Sequence, residues 1–211
     1  MNDSNPYSPT NRGFTLIELC VVMVIIMVLC LVIIPSVYSA IKTARSSMCL
    51  SNLRQIGVGL IAYANEHDQC FPMPSSYGNP PKQTAWIWDL IAYLNMPVNS
   101  MGYAPLPRSA GIFICPGYKS RGDRAVCYGL NGYITDSNWN MKILAVPSQS
   151  DTFLLGEIDQ NTECAFPSNS SYANTVRRHP HNSANFLFVD GHAENISGGI
   201  PYTDRRWRWW Q

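Results

Sequence analysis

The sequence predicts an α+β chain in which a long N-terminal helix, one half membrane-spanning and the other amphipathic, packs on a small antiparallel sheet in a loop-rich head. Three observations carry this. Sixteen consecutive apolar residues run from Leu19 to Ile34, and Glu18 is the only charge between Phe14 and Ile41. An apolar stripe at steps of three and four then continues to about Glu66. Beyond it, prolines interrupt the chain and short β-type runs end in turn signals. The order is a polar arm over 1–13, an apolar helix over 14–39, its amphipathic continuation over 40–68, and a head over 69–211 with a basic, aromatic tail.

A chain of 211 residues holds one core and an appendage. Apolar residues make up 46% and charged ones 14%, against about 25% charged in an average soluble domain, so the apolar excess needs a location and disorder is excluded. Fifteen Lys+Arg against fourteen Asp+Glu leave a net charge of +1. That balance lacks the basic field that binds nucleic acid, and no nucleic-acid partner is expected.

The arm has two prolines and no apolar periodicity, so nothing in it drives folding. From Phe14 to Ile34 there are twenty-one residues, which at about 1.5 Å each match a hydrocarbon core of about 30 Å. A cleaved secretory signal has a shorter apolar run, of about 7–15 residues, although Pro35-Ser36-Val37-Tyr38-Ser39-Ala40 offers a loose cleavage site. One turn inside the helix, the Glu18 carboxylate costs about 2.5–3.5 kcal/mol without a partner. It either pairs or sits neutral near the interface. Pro35 marks a local melt or a kink whose freed carbonyl is satisfied by neighbours or water. Lys42, Arg45 and Arg54 follow the span while Arg12 precedes it, the reverse of the positive-inside bias.

Ile41, Ala44, Met48, Leu53, Ile56, Leu60, Tyr63 and Ala64 form the core face of the amphipathic half, extending the helix to about fifty residues, or about 80 Å. In the head, Trp86 to Leu94 reads as a short helix and Gly111 to Cys115 as a strand ended by Pro116. Further strands are expected over Thr152 to Ile158 and Ala184 to Val189. Asp190-Gly191 then signals a type I′ hairpin, with His192 to Ile196 as the return strand.

The junction Arg12-Gly13-Phe14-Thr15-Leu16-Ile17-Glu18-Leu19 resembles the type IV prepilin signature. The resemblance implies that a membrane peptidase cuts after Gly13 and methylates Phe14, which makes residues 1–13 a leader. Glu18 then falls fifth and Pro35 twenty-second in the mature chain, the two places that mark this family. The amine of Phe14 on a neighbouring subunit becomes the partner for Glu18 and sets the register of a filament. The implied fold is a pilin-like ladle.

Further along, Cys49 to Gly57, Tyr63-Ala64-Asn65, Phe71-Pro72, Ile114-Cys115-Pro116 and Tyr128 to Tyr133 resemble major-pseudopilin-like proteins of bacteria. Their C-terminal mark is a histidine, nine residues, then Asp-Gly. Here ten residues separate His179 from Asp190 and eight separate His181 from it, so either histidine could take the family position. The resemblance implies a single-pass inner-membrane protein with a periplasmic head. It would assemble with itself into a periplasmic or surface filament, either a type II secretion pseudopilus or a type IV pilus-like fibre. The implied partners are the membrane, the prepilin peptidase, an assembly ATPase and a platform membrane protein.

An exported head sits in an oxidising compartment, so its cysteines are disulfide candidates, whereas Cys20 and Cys30 lie in the span. Helix between Cys49 and about Glu66 would hold Cys49 some 25 Å from Cys70, too far to pair. With Cys49 and Cys115 both inside family-like motifs, the resemblance suggests Cys49 with Cys115 and Cys70 with Cys127, leaving Cys164. Fewer bridges is the alternative.

His179, His181, Asp190 and His192, with Glu194 nearby, have donor chemistry suited to zinc. The plainer reading is that Asp190-Gly191 makes the turn and the histidines bond loop backbone. Calcium is the rival ion, but Asp136, Asp151, Asp159 and Asp190 are scattered, and no cofactor is firmly indicated. The tail from Tyr202 to Gln211 carries three arginines and three tryptophans within six residues. It suits an anionic surface, a glycan or a neighbouring subunit, or equally docking on the chain's own head.

No nucleophile elbow, phosphate loop or paired-carboxylate cleft stands out, and a zinc hydrolase would lack a general base. The chain therefore reads as a structural filament subunit rather than an enzyme. The alternative is a membrane-anchored or minor tip pilin that binds glycan, envelope or cargo, with metal in its hairpin.

Overall fold

A computed structural model describes residues 13–72, 85–96, 111–118, 127–135, 142–157, 165–166, 177–198, 200 and 204–207. The chain divides into two compact units, residues 1–40 and 41–211. Helix α1, Leu16–Glu66, begins in the first and ends in the second.

Within the first unit, α1 starts where Thr15 caps it. The Glu18 amide donates to Thr15 Oγ1 at 3.4 Å, and the Thr15 amide donates back to Glu18 Oε2 at 2.9 Å. This reciprocal pair satisfies two amides that the first helical turn leaves open. From there the side chains are apolar all round and exposed, and α1 is long and apolar enough to cross a membrane.

In the second unit α1 presents one buried stripe: Cys49, Leu53, Ile56, Leu60 and Ala64, at steps of four, three, four and four. The expected stripe was partly misplaced. Ile41, Ala44 and Met48 are exposed, because the buried face begins at Ser46 and runs through Cys49, one position round from Met48. At the C-terminal end Asp68 and Gln69 take positive φ of 53° and 65°, and the Gln69 amide returns to the Ala64 carbonyl at 2.8 Å. The helix stops as a left-handed cap.

Five strands make one sheet: β1 (Tyr128–Asn131), β2 (Phe153–Glu157), β3 (Ala165–Phe166), β4 (Ser183–Phe188) and β5 (Ala193–Ser197), in the order β3-β1-β2-β4-β5. The pairs β1–β2, β2–β4 and β4–β5 are antiparallel. The short β3 adds to β1 in parallel at the edge. Strand β4 shows the period of two directly. Ala184, Phe186 and Phe188 pack with Phe153, Ile200 and Trp207 on one face, while Leu187 joins the α1 stripe on the other. At Gly57 a Cβ would stand 3.0 Å from Leu187, so a glycine there lets α1 approach the sheet closely.

The β4–β5 hairpin is real but its turn is not type I′. Only Gly191 takes positive φ, 88°, and the Gly191 amide bonds the Phe188 carbonyl at 3.0 Å. A three-residue loop with a left-handed glycine results. It lets Val189 turn into the core, where its amide bonds the Thr152 carbonyl at 3.0 Å.

Two further expectations shift. The helix expected over Trp86 to Leu94 is α2, Ala85–Leu90, followed by turns to Asn95. The strand expected at Gly111 to Cys115 is a single 3-10 turn, Gly111–Phe113. Its carbonyls are taken by the Cys127 amide at Phe113 (3.1 Å) and the Asn52 side chain at Ile114 (3.2 Å) instead of by a ladder. The α+β class stands: one long N-terminal helix and a small, mainly antiparallel sheet.

Candidate functional site

At the N-terminal end, Gly13 has open space around it and Phe14 is 82% exposed. Glu18 is exposed and already engaged. Its Oε2 accepts from the Thr15 hydroxyl at 2.8 Å as well as from the Thr15 amide. The carboxylate that sequence reasoning left in search of a partner thus has a local one within its own chain. Pro35 lies inside α1, which stays helical through it in the single chain.

The second site is buried between α1 and the sheet. Cys49 comes from the inner stripe of α1, and Cys115 from the turn after Phe113. Glu157 ends β2, and His179 stands just before β4. All four are buried, and their donor atoms lie within 4.8 Å of one another. His179 Nε2 is 2.9 Å from Glu157 Oε1 and 3.5 Å from Cys115 Sγ. Cys49 Sγ donates to Glu157 Oε1 at 3.1 Å and is 3.1 Å from the Tyr128 hydroxyl. The other carboxylate oxygen, Glu157 Oε2, accepts the Asn185 amide at 2.8 Å, and Cys115 Sγ accepts the Gly117 amide at 3.4 Å.

This arrangement polarises the groups. Burial opposes the imidazolium of His179, but hydrogen bonds to Cys115 and Glu157 outweigh it and raise its pKa to about 9. Glu157 is held below the usual carboxylate range: burial works against ionisation, and the hydrogen bond and charge of His179 prevail together with the Asn185 amide and Arg178. The neighbouring Cys49 thiol, helped by His179, brings Cys115 down to about 6, against burial. Cys49 moves up for the converse reason, because the Cys115 sulfur, burial and the Glu157 charge all favour its protonated form. A buried carboxylate, a thiolate-prone cysteine and an imidazolium therefore coexist, and the cluster could hold a metal ion.

The histidine and aspartate set expected from the sequence is divided. His179 belongs to the buried cluster. His181 is exposed at a positive φ of 58°, and His192 is exposed on the hairpin, where its Nδ1 lies 2.6 Å from Asp190 Oδ1. Asp190 also accepts the His192 amide at 3.1 Å, which is turn chemistry. Of the carboxylates weighed for calcium, Asp151 pairs with Arg205 at 2.8 Å, while Asp136 and Asp159 lie outside the described residues.

The cysteine pairs are placed unequally. Cys49 and Cys115 are brought together, as free thiols. The backbone of Cys70 forms an isolated antiparallel β-bridge with Lys142 and its thiol donates to the Asp68 carbonyl at 3.7 Å, while Cys127 is a buried thiol. Cys164 lies outside the described residues.

Sequence reasoning missed Glu157 as a site residue. The signal was there: a lone acid closing the apolar run Phe153-Leu154-Leu155-Gly156 must be paired if the strand is buried. Of the tail, Arg205 to Trp207 form a short turn, with Trp207 fully buried against Phe153 at 4.7 Å and Phe186 at 5.8 Å. Arg206 lies over the Phe153 ring at 4.8 Å and bonds Asp204 through two nitrogens, at 2.9 and 2.8 Å. The described part of the tail thus docks on the head, as one of the two readings had it. Arg208, Trp209 and Trp210 lie outside the described residues.

Two families match. The one described as a prokaryotic N-terminal methylation motif matches residues 9–34, and one described as a protein of unknown function, DUF1559, matches residues 39–98. No curated protein and no solved structure matches the chain. The methylation motif falls on Gly13, Phe14, Glu18 and the exposed apolar part of α1, and the second match begins where α1 turns amphipathic. Together they support a type IV pilin-like structural subunit.

Proposed function

We propose that the chain is a filament subunit of the pseudopilin or pilin kind, cut after Gly13, methylated on Phe14 and polymerised through the first half of α1. The observation that carries this is the coincidence of the methylation motif over 9–34 with a helical segment whose large apolar side chains are exposed throughout. Such a surface is stable only in lipid or against other apolar helices. Before assembly the segment spans the inner membrane with the head in the periplasm; after assembly it is packed among copies of itself. The role is structural rather than enzymatic. A peptidase, an assembly ATPase and a platform membrane protein supply processing and work. A pseudopilus of type II secretion and a type IV pilus-like fibre are both compatible with these features. The tip-located binding module gains nothing from Trp207, which is spent on the head's own core.

Glu18 tests the assembly step. In the lone chain it caps α1; in the filament it is the acceptor for the Phe14 amine of a neighbour. Glu18→Ala should still be cut after Gly13 yet fail to appear in sheared filament fractions. Filaments at the wild-type level from that variant would contradict the assembly role.

A further inference from the structure

We propose that Cys49, Cys115, Glu157 and His179 form a structural zinc site that fastens the amphipathic half of α1 to the sheet. All four residues belong to the second unit, and nothing in the assembly reading requires them. Around a tetrahedral zinc with ligands at about 2.0–2.3 Å, neighbouring donor atoms stand about 3.3–3.8 Å apart. Three of the cluster's edges are 2.9 Å from nitrogen to oxygen, 3.1 Å from sulfur to oxygen and 3.5 Å from sulfur to nitrogen, with all four atoms within 4.8 Å of one another. These three edges lie within a few tenths of an ångström of a coordination tetrahedron, and the other three need to close from no more than 4.8 Å.

The donor set fits zinc by chemistry as well. Two cysteine sulfurs, one imidazole nitrogen and one carboxylate oxygen are its ordinary ligands, and four protein donors close the shell as a structural site does. An outer shell is also in place. The Asn185 amide holds Glu157 Oε2 and so leaves Oε1 directed inward; the Gly117 amide and the Tyr128 hydroxyl address the two sulfurs. Binding Zn²⁺ would release the protons of the His179 imidazolium and the Cys49 thiol, leaving two thiolates, a carboxylate and a neutral imidazole around the ion. That shell has a charge of −1, and the guanidinium of Arg178, close enough to feel Cys115 and Glu157, offsets it. The ligands come from α1, the turn after Phe113, β2 and the segment before β4, so a single ion would tie four separate stretches of the head together.

A disulfide between Cys49 and Cys115 is the competing use of the same sulfurs, and it would remove two of the four ligands. The test uses the full-length chain, purified in detergent from zinc-containing medium, with zinc measured by elemental mass spectrometry and free thiols counted after denaturation. About one zinc per chain is expected, with Cys49 and Cys115 both reactive as thiols once the metal is chelated. Cys115→Ser and Glu157→Gln should lower the bound zinc at least about tenfold, while His181→Ala and His192→Ala keep it. Should a ligand variant fail to fold, the wild-type chain answers alone: reduced, stripped with chelator and titrated with Co²⁺, it should develop thiolate-to-cobalt charge-transfer absorption that added Zn²⁺ abolishes. Less than about a tenth of an equivalent of zinc with a Cys49–Cys115 disulfide in the purified chain, or no cobalt spectrum from the reduced protein, would overturn the site. So would loss of zinc in His181→Ala or His192→Ala with retention in Cys115→Ser, since that places the ion at the exposed hairpin.

Discussion

Leu31 and Leu53 lie on one continuous helix, yet Leu31 is 76% exposed and Leu53 is completely buried. The first half of α1 offers apolar side chains all round, and among the described residues nothing in its own unit covers them. In the second half the apolar residues are confined to a stripe, and the stripe is covered by the sheet, α2 and the turn at Phe113. The two halves thus answer different demands: one completes a core within the chain, and the other is left uncovered by the described residues. The polar groups follow the same division. Among the described residues Glu18, in the first half, bonds its own helical turn, whereas Cys49, in the second, joins a buried network with groups 79 and 108 positions away.

Truncation should separate the halves most clearly. Leu53→Ala removes a fully buried side chain and is expected to cost about 2–5 kcal/mol, read by denaturant unfolding of the detergent-solubilised chain. Leu31→Ala should leave the same transition within about 0.5 kcal/mol. Equal losses at both positions would erase the distinction. A sharper version adds volume instead: Gly57→Val pushes γ-methyls into Leu187 and should cost about 1–3 kcal/mol by overpacking, in spite of a better helix propensity than glycine.

At the head of the exposed half the effect is local. Thr15→Ala removes the capping partner of Glu18 and should cost about 0.5–2 kcal/mol. That loss should appear as faster hydrogen exchange at the first amides of α1 in micelles, with the unfolding of the head unchanged. The smallest effect belongs to the tail. The hydrogen bonds from Arg206 hold the Asp204 carboxyl below its usual range, its backbone amide assisting. A depressed pKa stabilises the fold above the unfolded value of about 3.9 and loses that contribution as the pH falls through the lower folded value. Because Asp204 is only partly buried, Asp204→Asn should cost no more than about 1 kcal/mol near neutral pH. The gap from wild type should close on acidification below about pH 3.

Much of this was legible from pattern. The uninterrupted apolar run located the exposed half of α1, and the strands expected over 152–158 and 184–189 overlap β2 and β4. What escaped did so for physical reasons. Steps of three and four from Ile41 and Ala44 lead to Met48, but Cys49 lies on the buried side, where its thiol meets Glu157 and Tyr128. Residues 111–115 look like a strand, yet no neighbouring strand takes their carbonyls among the described residues, and the turn there aims Cys115 inward. The buried cluster was hidden by distance along the chain. Proximity in sequence joined His179 to His181 and His192, while the fold joins it to Cys49, Cys115 and Glu157. Spacing reveals local ligand sets, but a site made by tertiary packing becomes visible only when the buried charges are asked for their partners.

The claim that rests on both halves at once is that α1 begins life behind a leader and ends it in a filament. Intact mass and N-terminal sequencing of the protein from its native membrane and sheared surface fractions, with and without the prepilin peptidase, addresses it directly. The account predicts a chain that starts at N-methylated Phe14 when the peptidase is present and at Met1 when it is not. A chain that starts at Met1 under both conditions, or beyond Ala40, would contradict it and leave the exposed half of α1 as an anchor or a discarded signal.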